Sequence, residues 1–169
     1  FRRRVQRLTR INRDALMRED EINKRASHSY GSMFMYFYDP KHKNKLPYYD
    51  RFPLTIPVEP ADGGFRGINL HYLPPVLRAK FLDALLNVTN NKKYDDTTKF
   101  RLTYRLLKGA RNMRYFKPCL KHYLLEHVRS RFAEVPAPEW EIATFLPTAQ
   151  WTKASAGRVY QDSRKAING

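Results

Sequence analysis

The chain has 169 residues, 42% hydrophobic and 14% aromatic, so a single domain with a real core fits and a disordered polycation is excluded. Thirty-two Lys and Arg against sixteen Asp and Glu leave a net charge of +16, which repels itself in a compact state unless nucleic acid, an anionic membrane or an acidic protein surface supplies counter-charge. No apolar run approaches the roughly 20 residues that span a bilayer. The one cysteine, Cys119, cannot close an internal disulfide, so the chain reads as cytosolic or as part of a particle assembled there.

In chain order, residues 1–30 form a charge-dense arm. Arg2, Arg3, Arg4, Arg7, Arg10 and Arg13 precede the mixed patch Arg18-Glu19-Asp20-Glu21. Val5, Leu8, Ile11, Ala15 and Leu16 recur near helical spacing, but the apolar stripe is thin, so the arm is expected to be helical when a partner orders it. Residues 31–146 read as one α+β domain. Residues 32–38 are apolar or aromatic on both alternating faces, as a strand covered on both sides must be. Asp39-Pro40 ends that run, and Lys41-His42-Lys43-Asn44-Lys45 is a polar, basic loop. Residues 52–58 and 67–72 predict two more strands joined through the turn signal Asp62-Gly63-Gly64. Pro53 and Pro57 place the first of these at a sheet edge, because proline donates nothing to a ladder.

Pro74-Pro75 opens a helix with Leu77, Phe81, Ala84, Leu85 and Val88 on one face, and residues 87–94 connect it onward. Asp95-Asp96-Thr97-Thr98 caps a second helix running to about Gly109. Pro118 starts a third, reaching about Arg131, and residues 139–146 form a short element stopped by Pro147. The fold predicted is α+β, with a small antiparallel sheet of about three strands packed on about three helices. The tail, residues 147–169, is expected to be extended or disordered.

Charge is concentrated between residues 99 and 131, where ten basic residues meet one acid, Glu126. Arg101, Arg105, Lys108 and Asn112 follow i, i+4, i+7 and i+11, a line opposite the apolar positions Phe100, Thr103, Leu106, Leu107 and Ala110. Arg111, Arg114, Lys117 and Lys121 continue it, interleaved with Tyr115 and Phe116. Guanidinium forks match phosphate oxygens and aromatic faces stack on bases, so these residues, with the arginines of the arm, form the candidate polyanion site. A solvated helix face is the alternative reading.

Catalytic and metal chemistry find no pattern. Cys119, His122 and His127 lack a further Cys or His pair to complete a tetrahedral set. His122 and Glu126 at i, i+4 suit a helix-surface pair. Asp83, Asp95, Asp96, Glu139 and Glu141 are better placed as helix-start and surface carboxylates than as a nuclease Mg²⁺ site. Neither a nucleophile elbow nor a phosphate-cradling glycine loop is present. No enzyme activity, cofactor or small-molecule substrate is expected.

Several blocks together carry a family likeness: Met35-Tyr36-Phe37-Tyr38-Asp39-Pro40-Lys41, Leu46-Pro47-Tyr48-Tyr49-Asp50-Arg51-Phe52-Pro53-Leu54 and Gly67-Ile68-Asn69-Leu70-His71-Tyr72-Leu73-Pro74-Pro75. Tyr115-Phe116-Lys117-Pro118-Cys119 and the run from Trp140 to Thr148 extend it. Across residues 33–165 the chain resembles small virion structural proteins of T4-like contractile-tailed phages, often labelled DNA end protectors. The resemblance implies a virion protein that holds or shields the end of packaged DNA; with the basic site, the partner expected is double-stranded DNA bound without sequence preference, and assembly is expected in the host cytoplasm. It offers no catalytic motif. The other reading is a tail, neck or baseplate component whose basic arm docks acidic neighbouring virion proteins. A ribosomal-type RNA binder suits the charge but not the likeness.

Overall fold

Alternation in residues 33–36 sets the architecture. Successive side chains of an extended chain leave opposite faces, and here both faces are apolar. Met33 and Met35 enter one buried cluster, Phe34 and Tyr36 another. Such a strand belongs inside a sheet covered on both sides. The structure, a computed structural model describing residues 13–19, 22–89 and 117–169, places it there. In chain order come helix α1 (Arg13–Arg18) and strands β1 (Lys24–Arg25), β2 (Met33–Met35), β3 (Tyr49–Asp50), β4 (Leu54–Ala61) and β5 (Gly64–Asn69). Helix α2 (Pro75–Thr89), strands β6 (Leu120–Leu124) and β7 (Phe132–Val135), helix α3 (Trp140–Phe145), strand β8 (Trp151–Thr152) and helix α4 (Ala156–Asn168) complete the described elements. Six strands form one antiparallel sheet in the order β1-β7-β2-β4-β5-β6, and β3 pairs with β8 apart from it.

The sheet is curled. Phe65 of β5 and Phe132 of β7 are three strand steps apart, about 14 Å across a flat sheet, yet their ring centroids are 6.3 Å apart. Tyr36 fills the space between, 4.9 Å from Phe132 and 6.4 Å from Phe65, with its hydroxyl donating to Thr55 Oγ1 at 3.2 Å. The curl also closes the sheet on itself. Tyr38 bridges to Val128, Asp39 N–H donates to the His127 carbonyl at 3.1 Å, and Leu124 N–H donates to the Tyr38 hydroxyl at 2.9 Å. Phe34, Tyr36, Tyr38, Phe65, Tyr123 and Phe132 form an aromatic core on the inner face. Leu16 of α1, Phe81 and Leu82 of α2, Trp140 of α3, and Val159 and Ile167 of α4 join the core on the other face.

The hairpin between β4 and β5 turns at Gly63, whose φ of 73° suits glycine. At Gly64 a Cβ would collide with the Tyr123 carbonyl, so the bare glycine is what lets β6 close against β5.

Four expectations need correction. The sheet has six strands where about three were expected. The segment after Pro118 is strand β6, a single 3-10 turn and strand β7, not a helix. Cys119, Leu120, Tyr123 and Leu124 are spaced as one face of a helix, so the local pattern favours a helix and the pairing with β5 overrides it. Strand β4 lies between β2 and β5, not at an edge. Its prolines are tolerated because β2 reaches only Leu54 and Thr55. The Pro57 carbonyl accepts from Gly31 N–H, so the side on which the proline lacks a donor lies beyond the end of β2. Finally, the tail holds β8 and a 13-residue helix, α4, instead of being extended. Ser155 caps α4, and Val159, Ser163 and Ile167 recur on its buried face. The helix predicted from Thr98 to about Gly109 lies outside the described residues.

Candidate nucleic-acid interface

Of the sequence-predicted site residues, Arg2, Arg3, Arg4, Arg7, Arg10, Arg101, Arg105, Lys108, Arg111 and Arg114 lie outside the described residues. Arg13, Lys117 and Lys121 lie within them, on helix α1, in the turn before β6 and on β6 itself. Arg13 is occupied by its own chain, donating from Nε to the Thr148 carbonyl at 2.6 Å and from Nη2 to the Ala149 carbonyl at 2.5 Å. Lys117 is exposed in the turn before β6. Lys121 is on β6 itself, opposite Gly67 of β5.

Around Lys121 the fold builds a cleft of about 330 Å³. One wall is β6, the edge strand, with Lys121, His122 and Tyr123; another is the loop after β2, with Lys41, His42, Leu46 and Pro47; Tyr48, Tyr49 and Tyr72 close it. The Lys121 ammonium stands 4.0 Å from the centroid of the Tyr72 ring, a cation–π contact in a half-buried setting. Burial pulls the pKa of that ammonium below the ordinary lysine value. Tyr72 is wedged by Trp151, edge-on at 4.8 Å, and Tyr48 lies 6.3 Å from both.

The basic loop at the rim is fixed, although every side chain from 41 to 47 is exposed. Lys45 and Leu46 N–H groups donate to the His42 carbonyl, and Lys153 Nζ donates to the carbonyls of Lys43, at 2.6 Å, and Leu46, at 3.1 Å. Lys43 pairs with Asp39 at 3.0 Å. The hydrogen bond from Lys43, with the charges of Arg129 and Arg51, holds the Asp39 carboxyl below its ordinary value. Three cations, Lys43, Arg129 and Arg51, thus act on this one exposed carboxylate.

Beneath the cleft is a buried polar network. His71 Nδ1 lies 2.6 Å from Asp50 Oδ2 and, facing a carboxylate, donates to it; Asn69 Nδ2 donates to the same oxygen at 3.1 Å. Asp50 Oδ1 accepts from the Phe52 and Gln150 N–H groups, each at 2.9 Å. Burial by itself would raise the Asp50 carboxyl, but the His71 ring and the backbone donors hold it below its ordinary value. Thr148 Oγ1 stands 3.3 Å from His71 Nε2. Carboxylate, imidazole and hydroxyl thus fall in line, and all three residues are 3% exposed or less. The network fastens β3, the end of β5 and residues 148–150 together, and so shapes the cleft floor.

Other sequence candidates also resolve. Cys119 is a buried core residue, its thiol pushed up to about 12 by burial. His122 is on a strand and donates to the Asp62 carbonyl at 2.8 Å rather than pairing with Glu126, which lies 3.7 Å from His127. Among the described residues no cluster of His, Cys, Asp and Glu is arranged to hold a metal ion, and no helix is long and apolar enough to cross a membrane. Sequence reasoning missed Lys41, His42, Tyr48, Tyr49 and Tyr72 as site residues. The available signal was the basic loop running directly into Tyr48-Tyr49.

The fold and this cleft define a basic α+β protein on one curled antiparallel sheet, with a cationic, tyrosine-lined pocket at its edge strand. The profile of the phage T4 terminal DNA protecting protein family matches residues 9–167, and the chain belongs to that family of bacteriophage DNA-end protectors. No curated protein and no solved structure matches it.

Proposed function

We propose that this chain is a virion protein that shields a terminus of packaged phage DNA by binding its phosphates, without breaking a covalent bond. The observation that carries the reading is the uncompensated positive charge at the cleft and its rim loop: among the described residues Lys41, Lys45 and Lys121 meet no carboxylate. Ammonium groups beside aromatic walls suit a phosphodiester chain, and the cation-rich stretch of residues 99–131 contains β6. Arg101, Arg105, Lys108, Arg111 and Arg114, with the arm arginines from Arg2 to Arg10, all outside the described residues, supply further phosphate contacts in this reading. Binding is to backbone, so duplex sequence matters little. The partner is double-stranded DNA, met in the virion after assembly in the host cytoplasm.

A salt titration of duplex binding tests this. Affinity falls linearly on a log–log plot, and Lys41→Glu with Lys45→Glu reduces the slope by about 0.9 for each phosphate left without its lysine. Binding that ignores salt, or a protein that co-purifies with DNA-free tails and never with filled heads, overturns the reading in favour of docking on acidic neighbouring subunits.

A further inference from the structure

Among the described residues, Lys121 holds a charge in partly desolvated surroundings with an aromatic face, and no carboxylate, against it. Asp50 lines the same cleft, but both its oxygens are taken by four donors, so it offers little to a cation above. Taking a cation out of water is costly unless a partner arrives. Among the described residues, none supplies an anion to Lys121. The walls beside it are tyrosines, of which Tyr48 and Tyr49 are half-exposed. A volume of about 330 Å³ sits at the small end of ligand pockets and is far too small for a duplex.

Resting on the DNA-binding reading above, we infer that this cleft takes one unpaired nucleotide at the end of a DNA strand, with its phosphate on Lys121 and its base against Tyr48 and Tyr49. The rim cations Lys41, Lys43 and Lys45 then meet the phosphates that follow. Duplex interior offers no splayed base, so the cleft distinguishes an end from the rest of the molecule. That supplies a physical basis for recognising termini in a surface that otherwise reads only phosphate.

The test uses the full chain and two probes of one sequence: a linear duplex with a short 5′-phosphorylated overhang, and a covalently closed relaxed circle. The overhang probe binds about tenfold or more tighter per site, the worth of one stacked base. Lys121→Met and Tyr48→Ala each bring the ratio of the two affinities towards one, with circular dichroism confirming their fold. Wild-type competition needs no variant: deoxyadenosine monophosphate displaces the overhang probe where deoxyadenosine and inorganic phosphate, at equal concentration, do not. Equal binding of linear and circular DNA by the wild type overturns the inference and leaves the DNA reading standing. Failure to bind either probe overturns both. Inorganic phosphate competing as well as the nucleotide, or the nucleotide displacing the circle equally well, also overturns the terminal-nucleotide assignment.

Discussion

Replacing Arg78 by Met should unfasten the helical layer. Arg78 is 5% exposed, and its guanidinium serves four acceptors from separate parts of the chain. Nε donates to the Leu73 carbonyl at 2.6 Å, Nη1 to the Thr144 carbonyl at 3.0 Å, and Nη2 to the His71 carbonyl at 3.0 Å and the Tyr160 hydroxyl at 2.8 Å. The one side chain therefore joins the start of α2, the end of α3, α4 and the turn that carries Tyr72. Methionine keeps the stem's volume and leaves three carbonyls without this donor. At about 1–3 kcal/mol for each orphaned buried acceptor, offset by no longer burying a charge, the expected loss is about 3–5 kcal/mol. That is a large share of the roughly 5–15 kcal/mol that holds a domain together. Arg78→Lys, with three donors and no planar fork, should recover only part. Urea unfolding followed by circular dichroism measures both. A loss below about 1 kcal/mol for the methionine variant would refute the idea that this guanidinium ties the helices to the sheet.

Three further outcomes follow from the geometry. Because Asp50 titrates below its ordinary value when folded, the unfolded chain takes up that proton first as pH falls. Its contribution is complete above about pH 4 and is lost below, as pH drops through the folded-state value. Asp50→Asn should cost about 3–5 kcal/mol near neutrality and flatten the acid limb of a urea-midpoint profile; an unchanged acid limb contradicts the pairing. Gly64→Ala should force β6 away from β5 at Tyr123, costing about 1–3 kcal/mol and speeding amide exchange along β6, whereas exchange as in the wild type would show the carbonyl is not so close. Cys119, fully buried with its thiol at about 12, should resist iodoacetamide near pH 8 until the chain unfolds, and rapid native labelling would show the core is open there.

How much of this is legible in the sequence differs from element to element. Strand β2 is, because both alternating faces of residues 33–36 are apolar, and helix α2 is, because Pro75 stands at its first position. Strand β6 is not: Leu120, Tyr123 and Leu124 keep helical spacing in place of an odd–even alternation, and only its register against β5 decides. Strand β1 is two residues long and exists through its pairing with β7, a contact no local pattern encodes. Helix α4 hides behind a polar composition, with Val159 and Ile167 as its buried apolar anchors. At the site, charge density alone leads to Lys121, on an expected helix that is in fact a strand. Its ring partner Tyr72 and the facing basic loop come from the curl of the sheet and the bridge between Tyr38 and Val128, which are tertiary facts.

The central claim is that cations around the cleft cover a DNA terminus. The most direct measurement is the rate at which an exonuclease degrades linear phage DNA in the presence of the wild-type chain or of a variant carrying Lys41→Glu, Lys45→Glu and Lys121→Glu. The wild type should preserve the ends at low salt and release them as salt rises, while the variant, folded by circular dichroism, should leave them as exposed as naked DNA. Equal survival of the ends with both proteins, or none with either, contradicts the account.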